Sequence, residues 1–284
     1  MPHRLVCVAI LLFWLIAAVA LFTRDMLPDL MIGSPPDLRS ISKADGSLEP
    51  TRWSIMVAED PSLINLRSVG EAVTKSTLRP DGWVQMASDV RIDAQDLLQG
   101  TPFQSIHNER LIVLSTYDID PSGNLFSFWT AVKAAGEPGE LMTLEGRVKG
   151  AALEVRARGP LPIFNWSRTF AYQPRGMVQN TLGPIDRMPG LQVGQRWESR
   201  IVSPLTGRVE TIRVEVARKG VLTWANNPVT ALEVVARAAP VTIRMWVRPD
   251  GLVLRQEVPF PFVRLVLDRQ PRRGEIEGTM GSIP

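Results

Sequence analysis

One cysteine and two histidines are all that this chain of 284 residues offers to thiol, imidazole or zinc chemistry. Cys7 and His3 both fall at the N-terminus, Cys7 inside an apolar run, so no intramolecular disulfide forms and no thiol sits in the folded part. That leaves His107 in the polar stretch Ser105-Ile106-His107-Asn108-Glu109, which reads as a loop carrying a surface or structural histidine. A Ser-His-Asp or Cys-His nucleophile has little to draw on, and the usual zinc set of about four N or S ligands cannot be assembled. Lysine is scarce as well, at five residues. The arginines alternate with glutamates, as in Arg208, Glu210, Arg213 and Glu215; at a net charge of +3 there is no dense one-signed patch for nucleic acid. No glycine-rich phosphate loop joins a strand to a helix, which leaves nucleotide binding without support and no cofactor implied.

What the sequence does hold begins at Leu5. From there to Phe22 it runs without a charge or a strong helix breaker, and as a helix such a run is about 27 Å long, close to the hydrocarbon thickness of a bilayer. Arg4 precedes it while Arg24 and Asp25 cancel after it, so residues 1–4 are expected in the cytoplasm and everything beyond residue 22 outside the cell membrane. Ala18-Val19-Ala20 offers a small-x-small cleavage site, and a cleaved signal peptide with a secreted product is the alternative. Signal-peptide cores run about 7 to 15 residues, and the longer run here favours a single-pass anchor at residues 5–22. Residues 23–50, broken by Pro28, Gly33, Pro35, Pro36, Gly46 and Pro50, read as a flexible linker.

Folded sequence is expected over 51–268. Period-two alternation marks successive strands, as where Ile212, Val214 and Val216 face one way and Arg213, Glu215 and Ala217 the other. Turn residues separate most of them. Arg79-Pro80-Asp81-Gly82 and Arg248-Pro249-Asp250-Gly251 are hairpin turns in which proline pre-sets φ and glycine accepts a positive φ. A short helix is expected at Asp93 to Gln99, with Asp93 as N-cap. The Gly- and Pro-rich stretch from Gln173 to Gly194 divides two lobes, 51–172 and 191–268, and 269–284 reads as a polar tail. The expected fold is mainly β, a curved antiparallel sheet or half-barrel after an N-terminal transmembrane helix.

Three chemistries compete with structural readings of the same residues. Asp118-Ile119-Asp120-Pro121-Ser122-Gly123-Asn124 starts like a calcium loop, but Trp129 stands where a bidentate glutamate belongs, so a hairpin turn is expected and no metal site. Acids such as Glu59, Asp60, Asp118 and Asp120 are available for a carboxylate-dependent hydrolase of envelope glycans, which needs two of them about 5 to 9.5 Å apart in one cleft. Aromatic residues recur on the expected strands. Phe126, Phe128, Trp166, Phe170, Trp197 and Trp246 are the candidates for lining an apolar ligand site on a concave sheet, against a reading as plain inter-layer packing. No catalytic residue is expected.

The order Trp53-Ser54-Ile55-Met56-Val57, Val69-Gly70-Glu71-Ala72 and Pro80-Asp81-Gly82-Trp83, followed by Gly194-Gln195-Arg196-Trp197 and Trp246-Val247-Arg248-Pro249-Asp250-Gly251, resembles bacterial extracytoplasmic β-domains of unknown function. These include the non-catalytic domain found ahead of transglutaminase-like domains. The resemblance implies a half-barrel like that of envelope lipoprotein carriers, and it carries over no catalytic residue, because the Cys-His-Asp domain is missing here. The expectation is a membrane-anchored envelope module that is not an enzyme and holds an apolar ligand or a partner protein; the alternative is the glycan hydrolase.

Overall fold

The computed structural model describes residues 49–58, 65–95, 110–136, 138–160, 165–172, 183–202, 209–238, 241–260 and 263–272, with single positions at 14, 36, 63, 162 and 275. Of the expected membrane segment and linker only positions 14, 36, 49 and 50 are among these, and Glu59, Asp60, His107 and the Asp93–Gln99 helix beyond residue 95 lie outside the described residues. Among the described residues no helix is long and apolar enough to cross a membrane. At Asp93 the chain leaves the sheet, and its Oδ1 accepts the Gln95 N–H at 3.1 Å, as an N-cap does.

Among the described residues fourteen strands form one open antiparallel sheet. The first eight are β1 (Thr51–Ala58), β2 (Leu66–Leu78), β3 (Val84–Asp93), β4 (Arg110–Ile119), β5 (Leu125–Ala134), β6 (Glu140–Lys149), β7 (Ala152–Arg158) and β8 (Trp166–Ala171). The other six are β9 (Arg196–Val202), β10 (Val209–Trp224), β11 (Asn227–Ala238), β12 (Val241–Val247), β13 (Val253–Phe260) and β14 (Val263–Arg269). From β1 at the centre the chain meanders outward to β8 at one edge, crosses to β9 at the other edge, and meanders back until β14 pairs with β1. Within each meander the paired strands are consecutive in the chain, so among the strand pairings only β1–β14 joins distant segments.

Turn chemistry explains the tight hairpins. Arg79, Asp120 and Arg248 each donate their N–H to the carbonyl four residues on, at 2.7 to 2.8 Å, and each accepts from the glycine three residues on, at 2.8 to 2.9 Å. Those glycines, Gly82, Gly123 and Gly251, hold φ of 83 to 86°. The motif is therefore a type I turn closed by a left-handed glycine, and it occurs three times among the described residues. The calcium-like stretch is one of the three: Asp120 Oδ1 accepts the N–H groups of Ser122 and Asn124. Asp118 accepts from Gln85 Nε2 and Ser127 Oγ.

The central core lies on one face, which we call inner. Trp53, Ile55 and Val57 of β1 pack there with Val90, Trp197, Val214, Val216, Val234 and Val247. Alternation dictates this face, because β1 buries every second residue. The connection between the meanders lies against it. Met188 N–H donates to Gly251 O at 2.7 Å, Val253 N–H to Asp186 O at 3.1 Å, and Gln256 Nε2 to Ile185 O at 3.1 Å. A Cβ on Gly251 would meet Pro189 Cα at 2.6 Å, so glycine there serves the turn and the close approach of this strap together.

Both wings of the sheet arch. Tyr172, just past β8, donates its hydroxyl to Leu125 O on β5 at 3.1 Å. Three strand spacings on a flat sheet are about 14 Å, beyond the reach of a tyrosine. Similarly Trp224, at the end of β10, donates to Arg269 O on β14 at 2.7 Å, across what would be about 19 Å if the strands lay flat. The β10–β11 hairpin thus folds back over β12 and β13, on a second apolar cluster of Leu222, Val229, Ala231, Leu252 and Leu254.

One boundary of the expected polar tail is corrected. Arg269 is the last residue of β14 and is buried, and Gln270 still donates its N–H to Arg52 O at 2.8 Å. An arginine in polar surroundings looks like a tail from sequence; here two carboxylates meet it in the interior.

Candidate functional site

Register assembles the inner face of the first meander row by row. Thr51, Thr74, Ser88, Ser115 and Thr130 stand opposite one another on β1 to β5. This row of hydroxyls bounds the central core. Beyond it Met86, Tyr117, Phe128, Gly146 and Val155 stand opposite one another on β3 to β7. The Tyr117 and Phe128 rings stack at 6.0 Å and 24°. Phe128 can lie across the sheet because its β6 neighbour is Gly146, where any Cβ would collide with the Phe128 ring.

The edge strand completes this wing. Leu153 and Val155 of β7 are buried beneath Phe128, Trp166, Phe170 and Tyr172, which are only half-buried. Trp166 Nε1 is itself shielded from solvent, yet it has no acceptor among the described residues. Beside it the Arg168 guanidinium lies 5.8 Å from the Trp166 ring. Burial raises the Tyr172 phenol above its ordinary pKa, and the charge of Asp120 adds to this.

The six aromatic candidates therefore separate. Phe128, Trp166 and Phe170 come together on the wing. Phe126 leaves them for Trp83, whose ring it meets edge-on at 4.9 Å, with Arg147 5.2 Å over its own ring. Trp197 is buried in the central core, and Trp246 sits on the opposite, outer face with the β10–β11 cluster. Tyr172 is among the aromatic residues that recur on the expected strands, though not among the six candidates, while Tyr117 is legible only in the structure. Counting back from the Asp120–Asn124 turn sets Tyr117 opposite Ser127; the register shift between Asp118 and Ile119 moves it opposite Phe128, and nothing in the local sequence marks that shift.

At the strap, a buried polar node forms. Trp53 Nε1–H donates to Thr74 Oγ1 at 3.2 Å, and Thr74 Oγ1–H donates to Asp186 Oδ2 at 2.8 Å. Arg269 pairs with Asp186 Oδ1 at 3.0 Å and with Glu275 Oε1 at 3.4 Å. Desolvation lowers the pKa of this guanidinium, and the two carboxylates oppose that shift. The node ties β1, β2, β14 and the strap together, and its carboxylates are occupied by that task.

On the outer face of β4 to β8 a shallow groove of about 450 Å³ gathers Asp118, Glu145 and Glu154 with Arg147, Lys149 and Arg156. Asp118 is held by Gln85 and Ser127, and Glu154 pairs with Lys149 at 2.7 Å. Among the described residues no group of three or more His, Cys, Asp or Glu is placed to hold a metal ion.

No family model matches the chain, and no curated protein matches it. Among solved structures, it is similar to the β-barrel-like protein of domain of unknown function DUF1849 from Brucella abortus, with a TM-score of 0.51 at 8% identity over 78% of this chain and 94% of that one. The likeness is one of fold. A DUF1089 family protein from Pseudomonas aeruginosa aligns at a TM-score of 0.35 and 16% identity over 66% of this chain and 89% of that one, too distant to carry an argument.

Proposed function

We propose that the chain is a single-pass, extracytoplasmic, non-catalytic binding module of a bacterial envelope, a two-lobed half-barrel whose β4–β8 wing holds an apolar ligand. The observation that supports the reading most is the group Tyr117, Phe128, Trp166, Phe170 and Tyr172, gathered on one face and only partly buried. Rings that served packing alone would be covered, and apolar surface left in water is unfavourable by about 25 cal/mol per Å² until something covers it. The buried Trp166 N–H without an acceptor supports a ligand that brings one, since an unpaired buried donor is costly. The Leu5–Phe22 run supports the membrane anchor. The resemblance to domains that precede transglutaminase-like domains fits a non-catalytic role.

The test is photo-crosslinking. The full chain is expressed in membranes fed a photoactivatable long-chain fatty acid, and crosslinked peptides are mapped by mass spectrometry. Adducts on β5–β8 that fade in Phe128→Ala and Phe170→Ala are expected. Adducts confined to residues 5–22, or indifferent to both substitutions, would sink the reading. The glycan hydrolase competes less well, because Asp118 and Glu154 of the outer groove already have partners.

A further inference from the structure

On the outer face of β9 to β14 most arginines stand out beyond their carboxylate partners, although Glu198 of β9 is itself 57% exposed and Asp268, at 23%, exceeds Arg255 at 17%. Glu233 is 12% exposed and Glu257 8%, while their partners Arg218 and Arg244 are 68% and 47% exposed. The pairs chain across five strands, Arg218–Glu233 at 2.6 Å, then Glu233–Arg244, Arg244–Glu257 and Glu257–Arg264 at 3.9 Å each. Along this chain of pairs an approaching surface therefore meets guanidinium first.

One position breaks the alternation. Arg213 of β10 stands directly opposite Arg237 of β11, a like-charge cross-strand pair that is unfavourable by itself. The sheet relieves it from the sides only: Glu198 takes Arg213 Nε at 3.2 Å and Glu215 takes Arg237 Nη1 at 3.0 Å. The bond from Arg237, first, and that from Arg196 hold the Glu215 carboxyl below its ordinary pKa. Arg213 keeps its two Nη groups without an acceptor among the described residues, at 81% side-chain exposure. Arg213 and Arg237, on neighbouring strands and 81% and 54% exposed, offer guanidinium donors of the kind a phosphate group accepts from.

We propose that this outer face docks on an anionic bilayer, with a lipid phosphate seated between Arg213 and Arg237. Charge complementarity selects an anionic partner. The tether selects a bilayer: residues 23–50 as a flexible chain span roughly 30 Å, so a body anchored through residues 5–22 stays within reach of the lipid headgroups. The inference rests on the proposed anchor, and it turns the opposite, aromatic face away from the headgroups.

The experiment uses the full chain with Cys7→Ser and Thr242→Cys, which leaves a single thiol on the outer face opposite Arg237. A fluorophore at position 242 is read for access to a water-soluble quencher, in phosphatidylcholine vesicles and in vesicles that also contain phosphatidylglycerol. Protection is expected only with phosphatidylglycerol and is expected to fade in high salt. Arg213→Gln with Arg237→Gln should weaken it roughly tenfold or more, since each basic residue at an anionic surface contributes about a factor of five. Arg213→Lys with Arg237→Lys controls for folding and should retain most of the protection. Equal access in both vesicles, or protection unchanged by the glutamine pair, overturns the docking. Should carbonate wash the chain off the vesicles, the anchor fails by itself, and flotation of the same protein with phosphatidylglycerol vesicles still decides the docking.

Discussion

Arg269 and Asp186 pair at 3.0 Å in the interior, although 83 residues separate them along the chain. Only 1% of the Arg269 side chain is exposed. Removing its partner leaves a charge where water cannot reach, which is the costly direction for a buried pair. Asp186→Ala should therefore destabilise the fold by about 3 kcal/mol in urea denaturation, with Glu275 sparing part of the loss. Arg213→Gln, exposed on the outer face, should stay within about 0.5 kcal/mol. Equal effects of the two would mean that the node does not hold the strap.

Gly146 and Phe128 form a coupled pair. Gly146→Ala forces the ring off the sheet and should cost about 1 to 3 kcal/mol, the range of overpacked cores. In a Phe128→Leu background the same change should cost much less. A double-mutant cycle by thermal denaturation measures the coupling, and additivity would contradict the close approach.

At the tip of the β10–β11 hairpin, Ala225 and Asn226 hold φ of 50° and 64°. Both central residues of this two-residue turn are left-handed, a conformation that asparagine tolerates and alanine resists. Ala225→Asn should raise stability by about 0.5 to 1 kcal/mol, a gain rather than the usual loss. Thermal melting of the full chain checks the sign.

Tyr172 bears on the alkaline limit of the fold. Burial raises its folded pKa above the unfolded value near 10. Both states are protonated below that value, so the contribution of Tyr172 is fully present there; it is lost as pH climbs from about 10 toward the folded pKa, because only the unfolded chain gives up the proton. Tyr172→Phe should lower stability at neutral pH by about 1 kcal/mol, the worth of its bond to Leu125 O. It should also flatten the decline of stability above pH of about 10. An unchanged alkaline slope would show that the phenol titrates in water.

How far local chemistry could be read is clearest at the strands. Alternation of apolar and polar residues set the face of each, and Pro-x-Gly turns set where hairpins close, because both depend on neighbours a few residues apart. The β10–β11 tip was missed since Ala225-Asn226 lacks the glycine that usually marks such a turn. Of the aromatic candidates, Phe128, Trp166 and Phe170 share a wing while Trp197 and Trp246 do not. Pattern alone shows that a ring lies on a strand; which cluster it joins depends on how the strands are laid side by side.

The sequence by itself determined a chain of antiparallel strands with few reactive side chains, because period-two patterning and turn residues act over short distances. Only the tertiary structure decided that β14 returns to pair with β1, that the strap lies across the inner face, and that Arg269 is interior rather than tail. Those outcomes depend on contacts between residues far apart in the chain, and their free energy comes from burial and long-range pairing that no local window contains.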